Sequence, residues 1–314
     1  MCATSLPCAL SAFTPVTVRS HSSVSLRCNM KLRCGLEQYM SANARAVHEA
    51  LDRALPLGQP ERLSESMRYS VLPGGKRVFP VLAIAACELV GGSAAMATSV
   101  ACAVEMVHSM TIIHDDMPCM DNAALRRGRP ANHVVFGEYT AMISGDTLLA
   151  LAFEHLAQPS AVPAVAGRTL RAVGELAAAA VDSAAGQVAD KESEGGTVSL
   201  DMLEYIHLHK TARLLEAAAV CGAIVGGGTD GEIESLRRYA RFIGLLFQVV
   251  DDALDSEEDE AIDKATYQKL LGVDQAQAYA AELLVKAQRE LERFDANRAV
   301  PLHHLASFIA YRHN

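Results

Sequence analysis

Between Met106 and Asn132 the chain reads MVHSMTIIHDDMPCMDNAALRRGRPAN, with carboxylates at Asp115, Asp116 and Asp121 and a guanidinium pair at Arg126 and Arg127. The residues ahead of them, Ser99 to Ile113, are apolar and predict a buried helix, so the acids end a helix that cannot face water. Carboxylates withdrawn from water need a partner. A hard divalent cation satisfies three acid groups most simply, and two nearby arginines suit a cation that arrives with phosphate. A second stretch repeats the arrangement, because Phe247-Gln248-Val249-Val250 runs into Asp251, Asp252 and Asp255. Asp251 and Asp255 stand one helical turn apart and project from one face. Two acid clusters, each ending an apolar helix, point to metal-assisted chemistry on a phosphorylated substrate rather than to solvated helix caps.

The elements that must carry these groups are helices. Hydrophobic residues make up 50% of the 314, aromatics 5%, and Trp is absent. That mix favours helix packed on helix. Apolar periodicity predicts helices over Gly35–Ala54, Leu63–Leu72, Val78–Val90, Ala94–Ile113, Tyr139–Leu156 and Val162–Ala185. Further helices are predicted over Leu200–Ala223, Ile233–Leu254, Gln275–Phe294 and Leu302–Tyr311. Ser93 is placed to cap the first acid-bearing helix. Lys76 and Arg77, after Pro73-Gly74-Gly75, put cations and free N–H groups at a helix start, which suits an anion. Gln187 and Asp190 are spaced by one turn, Lys210 and Thr211 fall inside a helix, and Ser256 to Asp263 is acidic and solvated. No stretch alternates as a strand, and no apolar run reads as a membrane span. Linkers are short, so residues 35–314 form one all-α domain, a bundle of long helices.

The net charge of -9 lacks the basic footprint of a nucleic-acid binder. An anionic substrate must then be recruited by local cations or by metal. Cys87, Cys102, Cys119 and Cys221 show no metal-ligand spacing and read as free thiols of a reducing compartment. Residues 1–34 contain Ser, Thr, Arg and Lys, and the first acid in the chain is Glu37. This is transit-peptide composition and predicts plastid targeting, with mitochondrial targeting as the competitor.

The motifs Asp115-Asp116-Met117-Pro118-Cys119-Met120-Asp121, Leu125-Arg126-Arg127-Gly128 and Asp251-Asp252-Ala253-Leu254-Asp255 resemble those of the trans-isoprenyl diphosphate synthases. Met67-Arg68-Tyr69-Ser70, Gly74-Gly75-Lys76-Arg77, Gly186-Gln187-Val188-Ala189-Asp190, His207-Leu208-His209-Lys210-Thr211 and Phe247-Gln248 match in the same order. The likeness runs from about Leu36 to the last residue and is greatest to the plastid geranylgeranyl diphosphate synthases of plants.

The resemblance implies the isoprenoid synthase fold around a deep cavity, as a homodimer or as a heterodimer with a homologous synthase. It implies condensation of isopentenyl diphosphate with C5, C10 and C15 allylic diphosphates. Asp115, Asp116, Asp121, Asp251, Asp252 and Asp255 would form the catalytic set, with Asp115, Asp121 and Asp251 holding Mg2+. Arg126, Lys210, Thr211, Gln248 and Lys264 would grip the allylic diphosphate, and Lys76, His108 and Arg127 the isopentenyl diphosphate. Met110 and Thr111, ahead of the first motif, include no aromatic, and Pro118-Cys119 correspond to a two-residue insertion of the plant type. Both imply a C20 product.

Three departures stand against this. Phe79 replaces a family arginine, and losing such a charged donor costs about 1.5–3 kcal/mol. Ala123 and Ala124 replace two acids, and the stretch from Asp255 to Asp263 lacks a Gly-Lys loop with its phosphate-binding Lys. The alternative reading is therefore an impaired homologue that acts as a regulatory subunit of an active synthase.

Overall fold

The structure is a computed structural model that describes residues 23–73, 75–158, 167–254 and 265–312. Helices α1 (Ser23–Ala54), α2 (Glu61–Val71), α3 (Val78–Leu89) and α4 (Ala94–Asp115) lead into a hairpin of β1 (Leu125–Arg126) and β2 (Arg129–Pro130). Then come α5 (Asn132–Phe136), α6 (Glu138–Ala157), α7 (Thr169–Ser193), α8 (Leu200–His207), a π-helical turn (Leu208–Ala212) and α9 (Arg213–Gly226). α10 (Asp230–Leu254), α11 (Tyr267–Leu271), α12 (Val273–Glu290) and α13 (Ala296–Ala310) complete the described chain. The architecture is all-α, as the composition predicts.

α4 is the centre of the bundle. It packs against α3, α6 and α9, and every residue from Val100 to Val107 is buried. Its length and composition would let it cross a membrane, yet its apolar faces are covered by protein, which is the pattern of a core helix. Each large aliphatic side chain buried there contributes about 1.5–3 kcal/mol. Gly222 sets the closest approach: a Cβ there would lie 2.1 Å from the Ala83 carbonyl oxygen, so α9 and α3 meet backbone to backbone. A charged knot sits in the same core, where the fully buried Glu216 is held by Arg213 at 2.7 Å and Arg241 at 2.8 Å.

Several boundaries differ from expectation, each for a physical reason. α7 runs on to Ser193, because no breaker precedes Gly195-Gly196, so Gln187 and Asp190 are helical rather than beyond the helix end. The expected start of that helix at Val162 lies outside the described residues. The predicted Leu200–Ala223 helix is interrupted by the π turn. A two-residue hairpin appears where no strand was expected, because Arg127 (φ 53°) and Gly128 (φ 71°) both adopt the left-handed turn that joins tight strands. Ser93 occupies the cap position of α4, but its side chain makes no capping bond. α1 begins at Ser23, within the segment read as a leader, and residues 1–22 lie outside the described residues.

Candidate active site

The two acid-bearing helices converge on a cavity of ≈ 940 Å3. α4 contributes His108 and Asp115, the turn before α3 contributes Lys76, and the hairpin contributes Arg126 and Arg127. The π turn supplies Lys210 and Thr211, and α10 supplies Gln248, Asp251 and Asp252. Asp121 lines it too. Asp255 and Lys264 lie outside the described residues, as does the acidic stretch between them.

Local backbone bonds place the first motif. Past the end of α4 the chain turns back on itself, so the Asp121 N–H donates to the Asp115 carbonyl at 2.9 Å and the Asn122 N–H to Met117 at 3.0 Å. Asn122 takes a left-handed conformation to allow this (φ 49°). Asp115 and Asp121 thereby flank one wall. Burial pushes the Asp115 carboxyl above the usual range, and Lys210, 3.5 Å away, pulls it back. Lys210 also binds Asp190 at 2.7 Å. Asp116 is different: it is buried on the far side of the wall and accepts from Arg126 Nε at 2.9 Å. It braces the hairpin that carries Arg126 and does not face the main cavity.

In the second motif Asp251 is paired with Arg312, whose guanidinium lies 3.8 Å over the Phe247 ring and donates to the Phe247 carbonyl at 3.2 Å. Gln248 Nε2 lies 3.5 Å from Asp251. Asp252 is buried and accepts from the Tyr267 N–H at 2.9 Å, which ties the end of α10 to α11.

Lys76 and Arg127, which line the same cavity, are exposed cations. Gly75 makes room for the latter, since a Cβ there would stand 3.2 Å from the Arg127 guanidinium. Phe79 lies against His108 with ring centroids 4.3 Å apart and the rings tilted by 31°. Loss of solvent, reinforced by Arg127, Arg77 and Arg126, pushes His108 down to about 3, so its imidazole is neutral and offers one N–H. Arg77, which the sequence pairs with Lys76 as an anion-binding cation, does not serve that end: it is buried and bonded to Glu105 and to the Val71 carbonyl at 2.6 Å.

Sequence reasoning missed Lys191, Arg312 and Glu105. Lys191 binds Asp121 at 2.7 Å, the Met120 carbonyl at 3.0 Å and Glu194 at 2.6 Å. Only its position beside Asp190 hinted at this. Glu105 carried a signal, being the one acid of the apolar α4 ahead of Asp115. Arg312 carried none.

The donor set fits a hard cation. Among the described residues no three acid, His or Cys groups gather closely enough to hold an ion alone. Mg2+ is usually bound by one or two carboxylates with substrate phosphates and water completing the shell, and carboxylates of both motifs lining one cavity match that habit. Each motif already carries an internal cation that the ion would displace. Lys191→Leu should therefore lower the Mg2+ concentration for half-maximal activity, by up to about five-fold, since a partly exposed pair contributes at most about 1 kcal/mol. An unchanged Mg2+ titration would remove Asp121 from the metal set.

The profile of the family described as Polyprenyl synthetase matches residues 60–300. The chain is 54% identical over 293 residues to an Arabidopsis thaliana protein named "Heterodimeric geranylgeranyl pyrophosphate synthase large subunit 1, chloroplastic", spanning 88% of this chain and 79% of that one. It is 53% identical over 290 residues to a chloroplastic geranylgeranyl pyrophosphate synthase of Capsicum annuum, spanning 88% and 78%. Among solved structures it is similar to an FPP/GFPP synthase from Zymomonas mobilis (TM-score 0.82, 35% identity, 88% of this chain and 99% of that one). A geranylgeranyl pyrophosphate synthetase from Pyrococcus horikoshii aligns with TM-score 0.81 at 27% identity, over 88% and 99% of the two chains. The chain belongs to the polyprenyl synthetase family.

Proposed function

We propose that the chain is a plastid, Mg2+-dependent prenyltransferase that condenses isopentenyl diphosphate with allylic diphosphates to give geranylgeranyl diphosphate. The observation that carries this is one cavity lined by carboxylates of both aspartate motifs and by cations from the hairpin, the π turn and the turn before α3. Lys210, Thr211, Gln248 and Arg126 suit the allylic diphosphate, which meets the acids of both motifs. Lys76, Arg127 and the neutral His108 N–H suit isopentenyl diphosphate. Mg2+ bound at Asp115, Asp121 and Asp251 would neutralise the diphosphate as its C–O bond breaks and it takes the electron pair. The double bond of isopentenyl diphosphate then attacks the allylic carbon, and one proton leaves. Met110 and Thr111 line the cavity without an aromatic floor, which leaves depth for a C20 chain.

The relatives named chloroplastic and the acid-free residues 1–34 support plastid targeting. A second copy is the proposed partner. Tyr139, Met142 and Ile143 on α6 are 65%, 50% and 45% exposed, and the neighbouring α7 shows solvent an uncharged stripe through Gly174, Ala178, Val181, Ala185 and Val188. An apolar face of this extent marks an interaction site.

The test uses the chain without residues 1–34, Mg2+, labelled isopentenyl diphosphate and each of the C5, C10 and C15 allylic diphosphates. A C20 alcohol after phosphatase treatment is the expected result. No product, with the activity of an added synthase changed, would replace this reading with the regulatory subunit that Phe79 favours. Phe79→Arg should lower the KM for isopentenyl diphosphate about 10-fold, the lower end of the worth of one charged hydrogen bond. An unchanged KM would take that position out of the subsite.

A further inference from the structure

We propose that His114 is a positioning residue through which a second copy of the chain, docked on α6, fixes the carboxylates of the first aspartate motif. The inference rests on the dimer reading above. His114 is the residue before Asp115, at the last turn of α4. Its Nε2 lies 3.1 Å from the Met142 carbonyl oxygen and 3.8 Å from Asp146 Oδ1, both on α6. A carbonyl only accepts, so this nitrogen carries the proton and donates.

The seat for the ring is built into α6. A Cβ on Gly145 would stand 2.1 Å from His114 Nε2, so only glycine lets the imidazole lie against the helix. Gly145 is buried, whereas Met142 and Ile143 in the same turn face outward. One turn of α6 thus presents an apolar surface to a partner on one side and anchors His114 on the other.

The connection continues inward. Asp115, next in the chain, accepts through its carbonyl from the Asp121 N–H at 2.9 Å. A shift of the last turn of α4 therefore moves both carboxylates of that cavity wall together. Partner surface, Met142, His114, Asp115 and Asp121 form a chain in which every link within the protomer is a bond or a hydrogen bond, which is what carries coupling between distant sites. Coupling of this kind is reciprocal: if dimer contact improves the carboxylate wall for metal and diphosphate, those ligands must tighten the dimer by the same factor.

The experiment measures the dimer dissociation constant of the chain by sedimentation, without ligand and with Mg2+ plus inorganic diphosphate. Wild type should tighten by about 5- to 150-fold on adding the ligands. His114→Leu should dimerise as wild type without ligands and lose most of that tightening, and His114→Gln, which keeps a donor, should regain it. Gly145→Ala evicts the ring from its seat and should mimic His114→Leu, which separates the wiring from any folding defect of one variant. Equal tightening in wild type and His114→Leu, or a wild-type dimer indifferent to the ligands, overturns the wiring alone. A monomer at every concentration overturns the dimer reading with it. Calorimetry on the same samples showing no binding of Mg2+ and diphosphate overturns the proposed function itself.

Discussion

Asp115→Asn should reduce kcat by about 10²–10³-fold while leaving the fold intact, the scale on which one preorganised charge at a developing anion contributes. The amide keeps the shape of the carboxyl and removes its charge. Stability is expected to hold because the acid is already strained electrostatically: burial and the neighbouring Asp121 both push its carboxyl up. Its cation does not depend on it either, since Lys210 keeps Asp190 at 2.7 Å. The measurement is single-turnover condensation at saturating Mg2+, with thermal melting alongside. A loss below about 10-fold would mean that the first motif does not carry the leaving-group charge.

The second large effect is on stability. Arg77→Met should cost about 3–5 kcal/mol of unfolding free energy, because it leaves an uncompensated buried acid. Arg77 donates to Glu105 and to the Val71 and Leu72 carbonyls at 2.6 and 3.2 Å. Glu105 Oε2 already has no partner, so nothing else stands ready to take over. The pH dependence follows from the direction of the shift. Burial raises the Glu105 carboxyl above its ordinary value of 4.5, and Arg77 opposes that rise. An acid raised in the folded state contributes stability below its unfolded pKa and loses it as pH climbs through the folded one. Removing Arg77 raises Glu105 further, so the deficit against wild type should be smallest at low pH and widen once pH climbs past the wild-type folded value, which lies above 4.5. Urea titrations at several pH values measure this. Arg77→Met with Glu105→Leu should recover most of the loss, since an apolar pair can replace a buried ionic one.

How much of this was legible in the sequence depends on how local each feature is. α4 was legible because its apolar run ends abruptly at Asp115 and Asp116, and α10 because Asp251 and Asp252 end a similar run. Lys76, Arg127 and Lys210 could be assigned by resemblance to motifs of the family. Long-range pairings were not legible. Arg77 meets Glu105 across 28 residues, and Arg312 meets Asp251 across 61, with no spacing rule to join them. Asp116 and Asp252 carry the same side chain as their motif partners, yet each is buried on a partner of its own, Asp116 on Arg126 and Asp252, which also lines the cavity, on the Tyr267 N–H. Adjacent positions on a helix point about 100° apart, so neighbouring acids meet different partners. The short helices α5 and α11, five residues each, are set by tertiary packing and fall below what periodicity can show.

The π turn at Leu208–Ala212 makes the site sensitive to residue count rather than to residue type. It fits one more residue into a helical turn than α8 and α9 would, and so takes up an extra residue between two rigid rods without turning one against the other. Gly186 of α7 lies directly against it, where a Cβ would come within 2.2 Å of the Lys210 nitrogen. Losing a single residue there would let the rods join as one regular helix with their outer faces nearly in register, because five residues of a π turn sweep about as far round the axis as four of an α-helix. The widened turn that carries Lys210 and Thr211 into the cavity would be gone, with hydropathy, charge and helix content nearly untouched. Lineages descended from this chain are free to exchange side chains along that helix, but they inherit its length as a fixed quantity.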